Sequence, residues 1–250
     1  MAGGDGTGKN ISTKEAEMAK ELSFTPVASL LGVMGSRAYG LAHANSDYDK
    51  LGVFVAPVRE VLGLFGASVC ENSVVTHEPD LSLHELAKFC RLGLKSNPTL
   101  LELLWLPEYE VCDEVGAELV SIRESFPCTD AVRGGWGGFA GQLLKKSRSY
   151  SSRECDEQDL AHMNKNARHC WRLLLQGIRY LGTGELVVDV SSQRDEIFSM
   201  GELAVTDIGR FTELAEAKLV ILDTCESVLP ERPRSYKVNK FLVNTRLGAL

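Results

Sequence analysis

The chain has 250 residues, 44% of them hydrophobic and 24% charged, with a formal net charge of −7. That length buries a substantial core in one or two domains, and the negative balance argues against a broad, sequence-independent grip on nucleic acid while leaving room for a local basic groove. No apolar run reaches membrane-spanning length, no signal peptide opens the sequence, and seven cysteines without a C-x-x-C pair read as reduced thiols, so a cytoplasmic protein is expected.

Residues 1–12 are Gly-rich and polar and read as a tail. Within them Gly3 to Asn10 imitates a Walker A loop, but Asn10 replaces the Ser or Thr that would hold Mg²⁺ and no strand precedes it. Residues 13–23 have the composition of a lead helix. The apolar run to Met34 predicts a strand, Gly35-Ser36 a turn into a short helix, and residues 49–56 a returning strand that Pro57 ends. Asp47 and Asp49 stand at i and i+2, which in an extended segment puts both carboxylates on one face and turns Tyr48 into the core. Two carboxylates on one face repel each other, and a hard divalent cation, Mg²⁺ or Mn²⁺, is the usual reason for such an arrangement. Gly35 allows close backbone approach, and the amides from Ser36 onward would attract an anion such as phosphate. A phosphate cradle shortly before a metal-binding Asp-x-Asp is a site for a nucleoside triphosphate.

Further along, Asp80 in Asp-Leu-Ser-Leu has two readings, a third carboxylate on a neighbouring strand or the N-cap of a helix starting near Ser82; Glu78 is the alternative carboxylate. Asn97 and Pro98 suit N-cap and N1 of a helix over 99–106, on which Glu102 reads as a surface charge. Gly134-Gly135-Trp136-Gly137-Gly138 reads as a hinge, with a domain boundary placed there. The rest is helical: Phe139 to Tyr150 with a basic face of Lys145, Lys146 and Arg148, then the longest pattern over 156–181, ended by Gly182 to Gly184. On that helix Lys165, His169 and Arg172 fall at i, i+4 and i+7, one stripe that is either a solvated face or a set of donors for triphosphate oxygens. A short extended piece at 187–190 and helices over 205–227 and 238–247 complete the reading.

Gly35-Ser36, Tyr39-Gly40 and Ser46-Asp47-Tyr48-Asp49 resemble the signature of the DNA polymerase β-like nucleotidyltransferase superfamily. The branch most similar is that of the RNA-ligase-associated (RlaP-type) and YcgL-like predicted nucleotidyltransferases, whose later segments match Lys88-Phe89, Asn97-Pro98 with Glu102 to Trp105, and Lys165, His169, Arg172-Leu173 with Thr183 to Glu185. The resemblance covers roughly residues 28–247. It implies an α+β fold, a small mixed sheet flanked by helices (13–133) followed by a helical C-terminal domain (134–250) that closes over a nucleotide. It further implies metal-dependent transfer of a nucleoside monophosphate from an NTP, ATP by expectation, to a hydroxyl acceptor. In that scheme Asp47, Asp49 and Asp80 are catalytic and hold the metal, while Gly35, Ser36, Arg37, Lys165, His169 and Arg172 bind the nucleotide. The family name points to an RNA or tRNA end as acceptor; a protein or small-molecule acceptor, or a non-transferring nucleotide sensor or antitoxin-like module, are the alternatives. One departure stands out: Lys50-Leu51 precede Gly52 where the family pattern has an apolar residue and then Arg, which moves the positive charge to the other strand face.

Overall fold

The computed structural model describes residues 24–77, 80–150 and 155–248. The expected lead helix at 13–23, the Walker-like stretch and Glu78 lie outside them. Five strands form one mixed sheet in the order β3-β4-β2-β1-β5: β1 (Ala28–Val33), β2 (Lys50–Phe54), β3 (Ser73–His77), β4 (Asp80–Glu85) and β5 (Val111–Cys112). The β2–β4 pair is parallel and the others are antiparallel. Period-2 patterning sorts the side chains. Leu30, Leu51 and Val53 face the large core shared with the helices, while Phe54 and Leu83 face a smaller cluster with Phe24 and Val69.

Short helices α1 (Gly35–Ala38), α2 (Val58–Leu62) and α3 (Gly66–Val69) link the first strands. Helix α4 (Leu86–Leu94) follows β4 directly, so residues 82–85 are strand and the helix expected from Ser82 begins four residues later. Glu85 caps it, accepting from the Ala87 amide at 2.7 Å. Asn97 caps α5 (Pro98–Leu104) with Pro98 at N1, as the sequence predicts. Helix α6 is Glu114–Ser121.

Helix α7 (Thr129–Ser149) runs unbroken for 21 residues through Gly134 to Gly138, so there is no hinge at that point. Two of its glycines serve close packing: a Cβ on Gly135 would overlap the Ser96 carbonyl, and one on Gly137 would touch Leu222. Helix α8 (Glu157–Thr183) is capped by Asp156 and ended by Gly184 in the left-handed region, φ 74°. The expected helix over 205–227 is present as α10 (Ile208–Thr224), started by Asp207, which leaves the helical region and caps it with its side chain; a further helix, α9 (Arg194–Thr206), precedes it where the sequence reading placed none. Helices α7 to α10 pack on one another around Trp136, Leu173, Leu174 and Phe211, all buried. Helix α11 (Ser235–Gly248) returns to the sheet, where Arg246 pairs with the fully buried Glu85 and donates to the Ala56 carbonyl at 2.8 Å.

Among the described residues no helix is long and apolar enough to cross a membrane. All seven cysteines are free thiols.

Candidate active site

The parallel register fixes the acidic centre. Lys50 pairs with Leu81 and Leu51 with Ser82, so one step back Asp49 lies beside Asp80. Both side chains fall on the sheet face covered by the helices. The Asp49 carbonyl accepts from the Met34 amide at 2.8 Å, which extends the β1–β2 ladder to this residue. The two carboxyls hydrogen-bond, and the Asp49 pKa is raised, first by burial and then by the charge of Asp80, with Lys165 opposing and Asp47 adding a little. Gly35 makes the approach possible: its φ is +66°, and a Cβ would overlap the Asp49 carboxylate.

Asp47 lines the same cleft but sits in the loop 41–49, exposed to solvent. Among the described residues no group of three or more His, Cys, Asp or Glu closes on one point well enough to hold a metal ion. The protein therefore brings two abutting carboxylates. Hard oxygen donors with unbalanced charge suit Mg²⁺, which is typically held by one or two carboxylates plus substrate phosphates and water.

The cleft has a volume of about 590 Å³ and is walled by the sheet end, the 41–49 loop and α8. Gly35, Ser36, Lys165 and His169 line it with the three aspartates. Arg37 does not. Its guanidinium donates to the Ser46 carbonyl at 2.7 Å and the Asp47 carbonyl at 3.3 Å, and lies 3.6 Å from the Tyr48 ring centroid. Arg37 is the clamp of the aspartate loop. Tyr48 is 57% exposed rather than in the core, because β2 starts only at Lys50 and strand alternation does not reach into the loop. Lys50 is bound at 2.7 Å to Glu110.

Arg172 reaches the cleft wall, but its charge is spent within the protein. Its guanidinium donates to Glu102 at 2.5 Å and to Gln176 at 3.2 Å, and lies 3.7 Å from the Tyr39 ring centroid. Glu102 has no exposed surface, which corrects its reading as a surface charge. Its other oxygen accepts from the Tyr39 hydroxyl at 2.8 Å, and burial together with this carboxylate drives the Tyr39 pKa far up. The network ties the signature turn to α5 and α8. His169 is held neutral: burial, Arg172 and Lys165 push its pKa down to about 3. Since Arg172 can only donate, the 3.0 Å contact makes the His169 Nε2 the acceptor and leaves the proton on Nδ1.

Two residues outside the expected set complete the wall. Arg168, one turn on from Lys165, and Phe198, on a helix the sequence reading did not place, both line the cleft. The i, i+3 spacing from Lys165 was the available signal for Arg168.

The family described as RNA repair pathway DNA polymerase beta family (RlaP) matches residues 16–208. The chain belongs to this family. Membership makes this RlaP protein a nucleotidyltransferase of the polymerase β type. Both aspartates of the acidic centre, Asp49 in the Gly-Ser…Asp-x-Asp segment and Asp80 on β4, lie within the match. A nucleotidyltransferase-like protein from Exiguobacterium sibiricum 255-15 is similar in structure, at 13% identity and a TM-score of 0.31, over 92% of this chain and 76% of that one. No curated protein matches the chain.

Proposed function

We propose that this RlaP protein transfers a nucleoside monophosphate from an NTP, ATP in the first instance, to a hydroxyl at an RNA or tRNA end. The observation that carries the reading is the Asp49–Asp80 pair, two carboxylates pressed together on parallel strands at the floor of a cleft whose opposite wall presents Lys165. Folding raises the energy of the ionised pair, and the usual return for that is chemistry at the site.

Asp49 and Asp80 would hold Mg²⁺ or Mn²⁺, with Asp47 reaching in from its loop. The ion would supply charge neutralisation for the triphosphate and the departing pyrophosphate. The remaining work belongs to the chain. Ser36 and the amides beside Gly35 orient the phosphates, and Lys165 balances their charge from the helical wall. His169 contributes an Nδ1–H donor without a charge. The acceptor hydroxyl oxygen forms the new bond to the α-phosphorus while the bond from that phosphorus to its bridging oxygen breaks. The hydroxyl proton passes to a carboxylate oxygen of Asp80, and pyrophosphate leaves.

The test is incubation with each α-labelled NTP, a divalent cation, and total RNA or total protein. Label on RNA, lost in Asp49→Asn, is the expected result. Saturable NTP binding with label on neither polymer would replace transferase by sensor, and label on protein would replace the acceptor.

A further inference from the structure

Arg168 is the unexplained charge of the cleft. It makes no hydrogen bond and no ion pair with any described residue. Its guanidinium carbon lies 4.5 Å from the Phe198 ring centroid, and that of Arg194 lies 4.6 Å from the same ring, so two cations stand within about 9 Å with no carboxylate of the described residues on either. Arg194 is occupied: it donates to the Gly40 carbonyl at 3.0 Å and the Ala42 carbonyl at 3.5 Å, bracing the aspartate loop. Arg168 has no such employment. Its stem is gripped by α9, where a Cβ on Gly201 would come within 2.7 Å of Arg168 Cγ, so the head is aimed rather than free.

Packing alone does not account for an arginine here. The attraction of a cation to a ring face is of the same order as the repulsion between two like charges at this separation. Burial and the neighbouring Arg194 also weigh against the charged form. An apolar side chain of similar length would fill the space between Gly201 and Phe198 without either cost. Arg172, by contrast, has its charge balanced by Glu102.

We infer that Arg168, steered by Phe198 and Gly201, is a polyphosphate-binding residue of the cleft, acting with Lys165 one turn away in the place that sequence spacing assigns to Arg172. The inference deepens the nucleotidyl-transfer reading of the same cleft and rests on it. A guanidinium in this position binds phosphate oxygens in a fork that an ammonium cannot reproduce.

The probe is inorganic tripolyphosphate with magnesium, titrated calorimetrically into the full chain at low salt, so that neither base nor acceptor contributes. Wild type binds it. Arg168→Met, which keeps the stem that packs on Gly201, weakens binding by about 10- to 100-fold, as expected for one lost charge-assisted contact, with a melting temperature no lower than that of wild type. Arg168→Lys falls between the two. Should the methionine variant not fold, Arg168→Gln gives the same comparison. Equal affinity of wild type and Arg168→Met overturns the inference, and so does absence of tripolyphosphate binding to wild type. Unchanged tripolyphosphate affinity with a raised acceptor requirement in the transfer assay also overturns it, by assigning Arg168 to the acceptor. Arg168-dependent tripolyphosphate binding in a protein that transfers no label upholds the inference and refutes nucleotidyl transfer instead.

Discussion

Replacing Glu102 by glutamine removes one charge and almost no volume from the middle of the protein. Arg172 would then carry its positive charge with no exposed carboxylate or water to answer it, since both side chains have 2% or less of their surface exposed. Breaking a buried pair from one side costs about 3–5 kcal/mol, a large share of the roughly 5–15 kcal/mol that holds a domain together. For a chain of this length each kcal/mol moves the melting temperature by about 2–4 °C, so Glu102→Gln should melt at least about 6 °C below wild type. The loss belongs to the stranded guanidinium rather than to the missing carboxylate. Glu102→Gln combined with Arg172→Met should therefore be more stable than Glu102→Gln alone, while Arg172→Met alone strands the carboxylate and is destabilised as well. Thermal and urea unfolding of the four proteins form a double-mutant cycle. A single-variant cost below about 1 kcal/mol, or additivity of the two substitutions, would refute the argument that this pair neutralises itself inside the fold.

Asp49→Asn should reduce label transfer by more than about 100-fold, beyond the 10- to 100-fold typical of residues one shell removed from a metal. Without divalent cation the same variant should melt above wild type, because it relieves the repulsion with Asp80 and the burial of a charge; magnesium should raise the wild-type melting temperature and leave the variant's unchanged. Gly35→Ala puts a methyl group into the Asp49 carboxylate from a backbone at φ +66°, and should lose transfer activity along with at least about 1 kcal/mol of stability. For His169 the folded pKa of about 3 lies below the ordinary 6.5. The unfolded chain therefore binds the proton first, and the residue's contribution is complete above about pH 6.5 and is lost toward pH 3 at up to roughly 1.4 kcal/mol per pH unit. His169→Gln should flatten the measured stability–pH slope over that window. Asp49 runs the other way, its raised pKa making the fold less stable as pH rises from 3.8 through the folded value, so the acid limb is best read in the Asp49→Asn background.

The features legible in the sequence are local ones. Gly35-Ser36, the return through Asp49, the Asn97-Pro98 helix start and the glycine end of α8 each rest on a few adjacent residues, and each stands where expected. Long-range register was not legible. Whether Asp80 caps a helix or flanks Asp49 depends on a parallel pairing between β2 and β4 that no spacing along the chain encodes. Tyr48 failed for the same reason, since strand alternation holds only while the residue is inside the sheet. The Gly134–Gly138 run misled because glycine marks both flexibility and close approach, and here α7 needs the latter against Ser96. Glu102 was partly readable: Leu100, Leu101, Leu103 and Leu104 surround it, and a helix with apolar residues on nearly every side is a buried one.

The ion pair between Arg246 and Glu85 sets an order of events during synthesis. Glu85 belongs to the fourth strand, yet its counter-charge is encoded 161 residues later. A ribosome that has delivered the entire sheet still holds back the cation that quiets its most enclosed acid. Until residue 246 has left the exit tunnel, that carboxylate has the Ala56 and Ala87 amides to answer it but no counter-charge from Arg246.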